Sequence, residues 1–247
     1  TYNLGAEIPI IVTLTPATIS GTFQINLVCA NQSETLYKIS PAKGHFVAGE
    51  EQIINHKAIL TPEFIGNLKG ECNIQTSLGA ESATTNPFTI SDKIILTATL
   101  DKLNYDPGEA ITITISATKA NGDLLNGFIE ASGAANFSKE ITDGTATETF
   151  SMPETSEAKE YILTLFVYDK TENGVILNQE KKDISLTINQ LPQFIDISFS
   201  ALEVEPGTEL SISPQIYDQS GQTMSGLVSI SAISCLLYTS DAADELD

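Results

Sequence analysis

Residues 169–180, DKTENGVILNQE, have the composition of a calcium-binding loop. Four of its positions agree with the loop that wraps calcium between two helices: Asp169, Asn173, Gly174 and Glu180. Thr171 and Leu177 stand where further oxygen ligands are preferred, and the flanking segments EYILTLFVY and KKDISLTI alternate as strands do. We therefore predict that this segment is a β-hairpin, with a type I′ turn at Asn173-Gly174.

Few other residues have the spacing of a reactive site. Calcium could bind at domain junctions through acids such as Asp92, Asp101 and Glu205, although their spacing is not specific. The histidines are His45 and His56, both in polar stretches, and no G-x-S-x-G motif occurs. Without Trp and with scattered Tyr, no aromatic platform for a sugar is expected. We expect no catalytic, cofactor-binding or metal residues, and calcium is the one cofactor left open.

The cysteines give the clearest covalent prediction. Cys29 and Cys72 lie in strand-like contexts 43 residues apart, although the alternation around Cys29 does not give one clean apolar face. We expect them to form a disulfide, stabilising by about 3–4 kcal/mol in the chain-entropy model. The alternative is a pair of buried free thiols, which are common in β-cores.

Two short motifs could be modified. Asn31, in the tripeptide NQS, and Asn136, in the tripeptide NFS, match the acceptor pattern for N-glycosylation. The pattern arises often by chance in a chain rich in Asn, Ser and Thr, so both remain candidates only.

The charge of the chain excludes some partners. It has 32 acidic and 12 basic residues, a formal charge of −20, and every basic residue is Lys. Nucleic acids and anionic membranes attract Lys and Arg, so neither is an expected partner. No apolar run approaches the roughly 18–20 residues that span a bilayer.

Alternation of apolar and polar residues predicts an all-β chain. In GEAITITISATK, Ile111, Ile113 and Ile115 point to one face, and threonines take the other. Turn residues such as Asp106-Pro107-Gly108 separate the strands. The segment PETSEAKEY could form a single helical turn.

The chain also repeats itself. Residues 95–132 align without a gap on residues 194–231, at a constant offset of 99. The matched pairs include Pro107 and Pro206, Gly108 and Gly207, Gly122 and Gly221, and Gly127 and Gly226. A period near 100 residues with frequent strands is typical of tandem β-sandwiches. The predicted domains are 1–92, 93–192 and an incomplete third repeat, 193–234.

The stretch YDPGEAITITISATKANGDLLNG resembles the opening of the immunoglobulin-like modules of macroglobulin-type and prokaryotic surface proteins. The likeness covers residues 93–234 and implies tandem immunoglobulin-like sandwiches. No macroglobulin thioester sequence is present, so a protease-trapping role gains no support. Fold-level likeness by itself implies no activity.

The last residues resemble an artificial sequence. CLLYTSDAADE, residues 235–245, is similar to one reading frame of a common transposase sequencing adapter, and we treat 235–247 as a non-native tail. The third repeat then stops after Ser234.

Taken together, these features predict a non-catalytic fragment of a larger secreted or cell-surface protein. Its modules would act as spacers, for display or in adhesion, and the protein partners are unknown. The alternative is an accessory β-sandwich region of an extracellular enzyme whose catalytic domain lies elsewhere.

Overall fold

The computed structural model describes residues 1–205 and 207–231, so the predicted non-native tail, 235–247, lies outside the described residues. The fold is nearly all β, with multiple sheets, and the predicted all-β sandwich class is confirmed. Residues 1–189 form one compact unit and the chain from Gln190 onward forms another. No helix in the described part is long and apolar enough to cross a bilayer.

Residues 2–91 form a sandwich that we call the N-terminal sandwich. Its strands are β1 (Tyr2–Asn3), β2 (Glu7–Leu14), β3 (Phe23–Cys29), β4 (Gln32–Ile39), β5 (Gln52–Ile59), β6 (Gly70–Leu78), β7 (Glu81–Thr84) and β8 (Phe88–Ser91). One sheet has the order β1-β8-β6-β3-β4, with β7 also paired to β6, and β2 and β5 form the facing sheet. β1 runs parallel to β8, whereas the other neighbours in this sandwich are antiparallel.

The core of the N-terminal sandwich follows from alternation along its strands. In β3, the side chains of Phe23, Ile25, Leu27 and Cys29 are all buried, and the residues between them are half-buried. The expectation that Cys29 lacks a clean apolar face is therefore wrong. These side chains pack against Ile8 and Ile10 of β2 and close one hydrophobic cluster.

Residues 94–188 form a second sandwich, the central sandwich. Its strands are β9 (Ile94–Leu100), β10 (Asn104–Tyr105), β11 (Ala110–Lys119), β12 (Gly127–Gly133), β13 (Phe137–Ile141), β14 (Thr145–Ser151), β15 (Glu160–Lys170) and β16 (Ile176–Ile188). The sheet orders are β14-β11-β9 and β10-β16-β15-β12-β13, and β10 runs parallel to β16. The core lies between these two sheets.

The predicted alternation of β11 is confirmed. Ile111, Ile113 and Ile115 are fully buried, and the threonines between them lie on the opposite face. The helical turn predicted in PETSEAKEY is wrong, since residues 153–159 form a turn, a bend and irregular backbone and the last two residues begin β15. A one-turn helix, α1 (Pro62–Ile65), occurs instead where Pro stands at a helix start, a position that does not require its missing N–H.

The unit that begins at Gln190 contains a three-stranded sheet among its described residues. Its strands are β17 (Pro192–Phe199), β18 (Ile212–Asp218) and β19 (Thr223–Met224), in the order β17-β18-β19. Large apolar side chains of β17, including Ile195 and Phe199, are about half exposed. The domain boundaries expected from the sequence stay predictions.

Candidate functional site

Residues 169–180, whose sequence resembles a calcium-binding loop, belong to a β-hairpin. β15 and β16 pair antiparallel and are joined by a tight turn. In this turn the Gly174 N–H donates to the Thr171 carbonyl at 2.9 Å. Gly174 has a positive φ but Asn173 does not, so the predicted type I′ turn, which requires both, is wrong. The hairpin itself is confirmed.

Asp169, the first residue of that segment, binds protein groups. Its Oδ1 accepts hydrogen bonds from the Asn178 backbone N–H at 2.8 Å and from the Asn178 side-chain amide at 2.9 Å. Its Oδ2 lies 2.7 Å from the Lys119 Nζ. Because the Asp169 side chain is 9% exposed and that of Lys119 23%, this ion pair is largely shielded from water.

Asn3 of the N-terminal sandwich contacts the same cluster. Its side-chain amide donates to Asn178 Oδ1 at 3.0 Å and to the Lys93 carbonyl at 3.1 Å, and its Oδ1 accepts from the Asn121 N–H at 2.9 Å. In return, the Asn178 side-chain amide donates to the Leu4 carbonyl at 2.9 Å. We call Asn3, Lys119, Asn121, Asp169 and Asn178 the junction network, because they link the N-terminal and central sandwiches.

The backbone reinforces this link. The Gln179 N–H donates to the Asp92 carbonyl at 2.9 Å, and the Ala120 N–H donates to the Lys93 carbonyl at 3.2 Å. Gly5 has a positive φ, and a Cβ there would lie 2.9 Å from Leu177 Cδ1. A side chain at that position would require both a strained backbone and a shift of the Leu177 side chain.

The centre of the junction network, formed by Asn3, Asp169 and Asn178, is buried and hydrogen-bonded. Asn3 is 1% exposed and Asn178 is completely buried. Among the described residues, no buried side-chain nitrogen or oxygen lacks a hydrogen-bond partner. A satisfied buried polar network favours one geometry, since any shift of its members would leave polar groups unpaired in a low-dielectric environment.

Two of the other acids considered for calcium, Asp92 and Asp101, bind protein groups. Asp92 pairs with Lys69 at 2.6 Å. Asp101 accepts from the Thr112 N–H at 2.7 Å, which is the main cause of its lowered pKa, and from the Tyr105 hydroxyl at 2.9 Å. Glu205 is exposed, and its backbone carbonyl accepts a hydrogen bond from the Thr208 N–H at 3.0 Å. Within the described ranges, no three or more His, Cys, Asp or Glu side chains are grouped so that they could hold a metal ion.

The disulfide predicted between Cys29 and Cys72 is present. The two residues are directly opposite each other on the neighbouring strands β3 and β6, with their Cα atoms 4.1 Å apart. Both are buried, at 3% and 1% exposure. The bond therefore joins two strands of one sheet, unlike the inter-sheet bridge of antibody domains.

The two glycosylation candidates lie on the surface. Asn31 is exposed in the turn between β3 and β4, and Asn136 is exposed in the loop between β12 and β13. Both positions are accessible to a modifying enzyme, and their modification stays a prediction.

Among the residues that the structure describes, the histidines and aromatic side chains form no reactive constellation with one another. His45 is exposed, and His56 is half-buried with its ring 5.1 Å from that of Tyr37. The sequence did not reveal that Phe128 and Phe166 both contact Tyr168, with ring centroids 5.7 and 5.2 Å away. The Tyr168 hydroxyl donates to Glu130 and Tyr168 is 9% exposed, so its contacts with the two phenylalanine rings contribute to the stability of the sheet.

A buried carboxylate in the second unit gives a pH-dependent prediction. Asp218 Oδ2 accepts from the Gln190 side-chain amide at 2.8 Å, and its Oδ1 accepts from Ser220 and from the Gln222 N–H. These bonds, that of Gln190 first, lower the pKa of Asp218 from 3.8 to about 2. A lowered folded-state pKa stabilises the fold above about pH 4, and this stabilisation is lost as the pH falls from about 4 to about 2.

We expect the Ser220 and Gln222 amide resonances to titrate with a midpoint near pH 2 in NMR spectra, because both amides donate to Asp218. Asp218→Asn should abolish this titration while leaving the side chain uncharged at every pH. A midpoint near 4, the ordinary Asp value, would show that the hydrogen bonds to Asp218 do not stabilise its charged form in solution.

Comparison with known proteins identifies no family for this chain. No protein-family model matches the chain. No curated protein matches it either.

Proposed function

We propose that this chain is a non-catalytic part of a larger secreted or cell-surface protein, in which tandem immunoglobulin-like sandwiches act as spacer, display or adhesion modules. The observation that carries the proposal is the junction network, in which Asn3 and Asn178 are buried and bonded across two sandwiches. A spacer must hold its two ends at a fixed separation, and a junction with a buried, hydrogen-bonded centre does this better than a flexible linker.

The strand arrangement supports the immunoglobulin-like assignment. In the central sandwich, β9, β11 and β14 form one sheet, while β12, β15 and β16 belong to the other. Constant-type immunoglobulin domains divide their strands between the sheets in a similar way.

The strand registers support the repeat. Leu100 is paired with Ile113 in the central sandwich, and Phe199 is paired with Ile212 in the second unit. Phe199 and Ile212 are each 99 residues after Leu100 and Ile113, which is the offset of the sequence repeat. β17 and β18 therefore pair in the same register as β9 and β11.

The disulfide supports an extracellular location. Disulfides form and persist mainly in oxidising compartments outside the cytosol. The charge of −20 favours a soluble, self-repelling surface and disfavours nucleic acid as a partner.

The spacer function predicts a fixed distance between the two sandwiches. Spin labels placed as noncanonical amino acids at the exposed positions Lys38 and Glu140 should give one narrow distance distribution in a double electron–electron resonance experiment. Asn3→Ala should broaden it, because it removes the three side-chain bonds of Asn3 but leaves the Asp169–Asn178 contacts within the central sandwich.

Asn26→Ala is the matched control. Asn26 accepts an exposed hydrogen bond from the Thr35 hydroxyl within the N-terminal sandwich, so its loss should leave the distribution narrow. A broad distribution in the unsubstituted protein would contradict a spacer held rigid by the junction network.

A further inference from the structure

One edge of β2 in the N-terminal sandwich is unpaired, whereas both edges of β11 in the central sandwich are paired. β2 is paired with β5 on one side, and among the described residues no strand is paired with its other edge. In the central sandwich, β11 is paired on both sides, with β14 and with β9. The free edge of β2 therefore offers unpaired backbone groups of the kind that accept an added strand.

β2 and β11 are equivalent strands. Tyr2 and Gly5 precede β2 by the same spacing as Tyr105 and Gly108 precede β11, and both glycines have positive φ. The inward residues correspond as well: Ile8, Ile10 and Val12 in β2 match Ile111, Ile113 and Ile115 in β11. β1 lies parallel to β8 as β10 lies parallel to β16. The missing partner of β2 is thus the counterpart of β9.

A groove of about 380 Å³ lies along this free edge. It is lined by residues 10–16 on one side, by Phe23 and Ile74, and by residues 76–78 and 81–85 on the other. By the equivalence of β2 and β11, residues 10–16 correspond to residues 113–119, the stretch of β11 that is paired with β9. The groove therefore has the length and the place of a β9-like strand.

The chemistry of the groove also matches β9. Val12, Leu14 and Leu78 are only partly buried at the edge of the core. In the central sandwich, Leu96, Ala98 and Leu100 of β9 pack on the equivalent region of the core. Glu81 is the charged residue among those that line the groove, and β9 itself, IILTATL, carries no charge. An uncharged strand with an apolar residue at every second position fits this surface.

Pro9 does not obstruct such a strand. Its equivalent in β11 is Thr112, whose N–H donates to the Asp101 carboxylate at 2.7 Å rather than to the backbone of β9. The missing N–H of Pro9 therefore lies just outside the ladder that would form. The backbone N–H groups of successive residues in a strand point to opposite edges of that strand. The N–H groups of Ile11 and Thr13, two and four residues after Pro9, therefore face the groove.

We propose that the groove is the acceptor site for a β-strand of the same polypeptide, which lies antiparallel to β2 and leads into β1. The central sandwich supports a strand in cis, because residues 101–103 are the whole connector between β9 and β10. A connector of the same length before β1 would place the preceding strand in the groove. The added strand extends the sheet of β2 and β5 and covers the half-exposed apolar side chains.

The test places a copy of residues 94–103, IILTATLDKL, directly before Thr1. We expect the Ile11 and Thr13 amides to become at least about tenfold more protected from hydrogen exchange, because they gain backbone acceptors. Amides of β11, which is already paired on both sides, should be unchanged and serve as the internal reference.

A second extended protein is the matched control. Its added copy carries Leu96→Ser, Ala98→Ser and Leu100→Ser, so that the strand keeps its length and loses its apolar face; protection of Ile11 and Thr13 should then stay at the level of the unextended chain. Equal exchange rates in all three proteins would overturn the proposal. Protection that rises with the concentration of the unextended chain would also overturn it, since a second copy would then be the occupant.

Discussion

Removal of the Cys29–Cys72 disulfide is expected to lower the free energy of unfolding of the N-terminal sandwich by about 4 kcal/mol. The bond joins two residues 43 apart in the sequence and so restricts the conformations of the unfolded chain. In the chain-entropy model, its loss raises the conformational entropy of the unfolded chain and thereby favours unfolding. The measurement is native-state hydrogen exchange of the β3 and β6 amides in a Cys29→Ala, Cys72→Ala double variant, since it isolates one sandwich of a chain with several units.

Cys235→Ser is the control for this experiment and the background in which it is made. It removes the remaining cysteine, so that no thiol exchange with the disulfide can occur, and should not change exchange in β3 or β6. The expectation fails if the double variant keeps opening free energies within about 1 kcal/mol of those of the background protein.

Substitution of Asp169 by Ala is expected to destabilise the central sandwich by about 3 kcal/mol. The change leaves the Lys119 ammonium without its partner and removes an acceptor from the buried Asn178 N–H. Loss of one member of a buried ion pair costs about 3–5 kcal/mol, and the partial exposure of Lys119 places this pair at the low end. Hydrogen exchange of the β15 and β16 amides measures the effect.

Asp183→Ala is the matched control for Asp169→Ala. Asp183 lies on the same hairpin and accepts a hydrogen bond from the Thr164 hydroxyl at 2.6 Å, but it is exposed. Its substitution should change stability by no more than about 0.5 kcal/mol. Equal effects of the two substitutions would show that burial of Asp169 contributes nothing.

Alternation made the strands predictable because it depends on neighbouring residues alone. Ile111, Ile113 and Ile115 can reach the same side of an extended chain only if β11 forms, and all three are fully buried. The disulfide was predictable for a related reason: the two cysteines that precede the tail both stand in strand-like segments. These inferences require a local pattern but no knowledge of how distant segments meet.

Turn positions were predictable and turn types less so. Gly174 marked the hairpin correctly because glycine readily adopts a positive φ. The predicted type also required a positive φ at Asn173, and the register shift at Asp169 and Lys170 shows that the hairpin closes with an irregularity instead. Loop length and bulges depend on how the two strands pack, which a dipeptide does not reveal.

The junction network could not be predicted from spacing. The side chains of Asn3 and Asn178 are separated by 175 residues, and no periodic pattern connects them. Only a weak signal was present in β16, where Asn178 shares a face with the buried Leu186 and Ile188 but Glu180 and Lys182 interrupt the apolar pattern of that face. A polar residue on the apolar face of a strand indicates a buried hydrogen-bond partner, although it does not identify which one.

The parallel pairing of β1 with β8, and of β10 with β16, has a mechanical consequence. β8 and β16 are the last strands of their sandwiches, whereas β1 and β10 come early in them, with β9 ahead of β10 in the central sandwich. Tension applied along the polypeptide draws the two strands in opposite directions along their common axis. The hydrogen bonds between them are then loaded together, in shear, rather than opened one after another from an end.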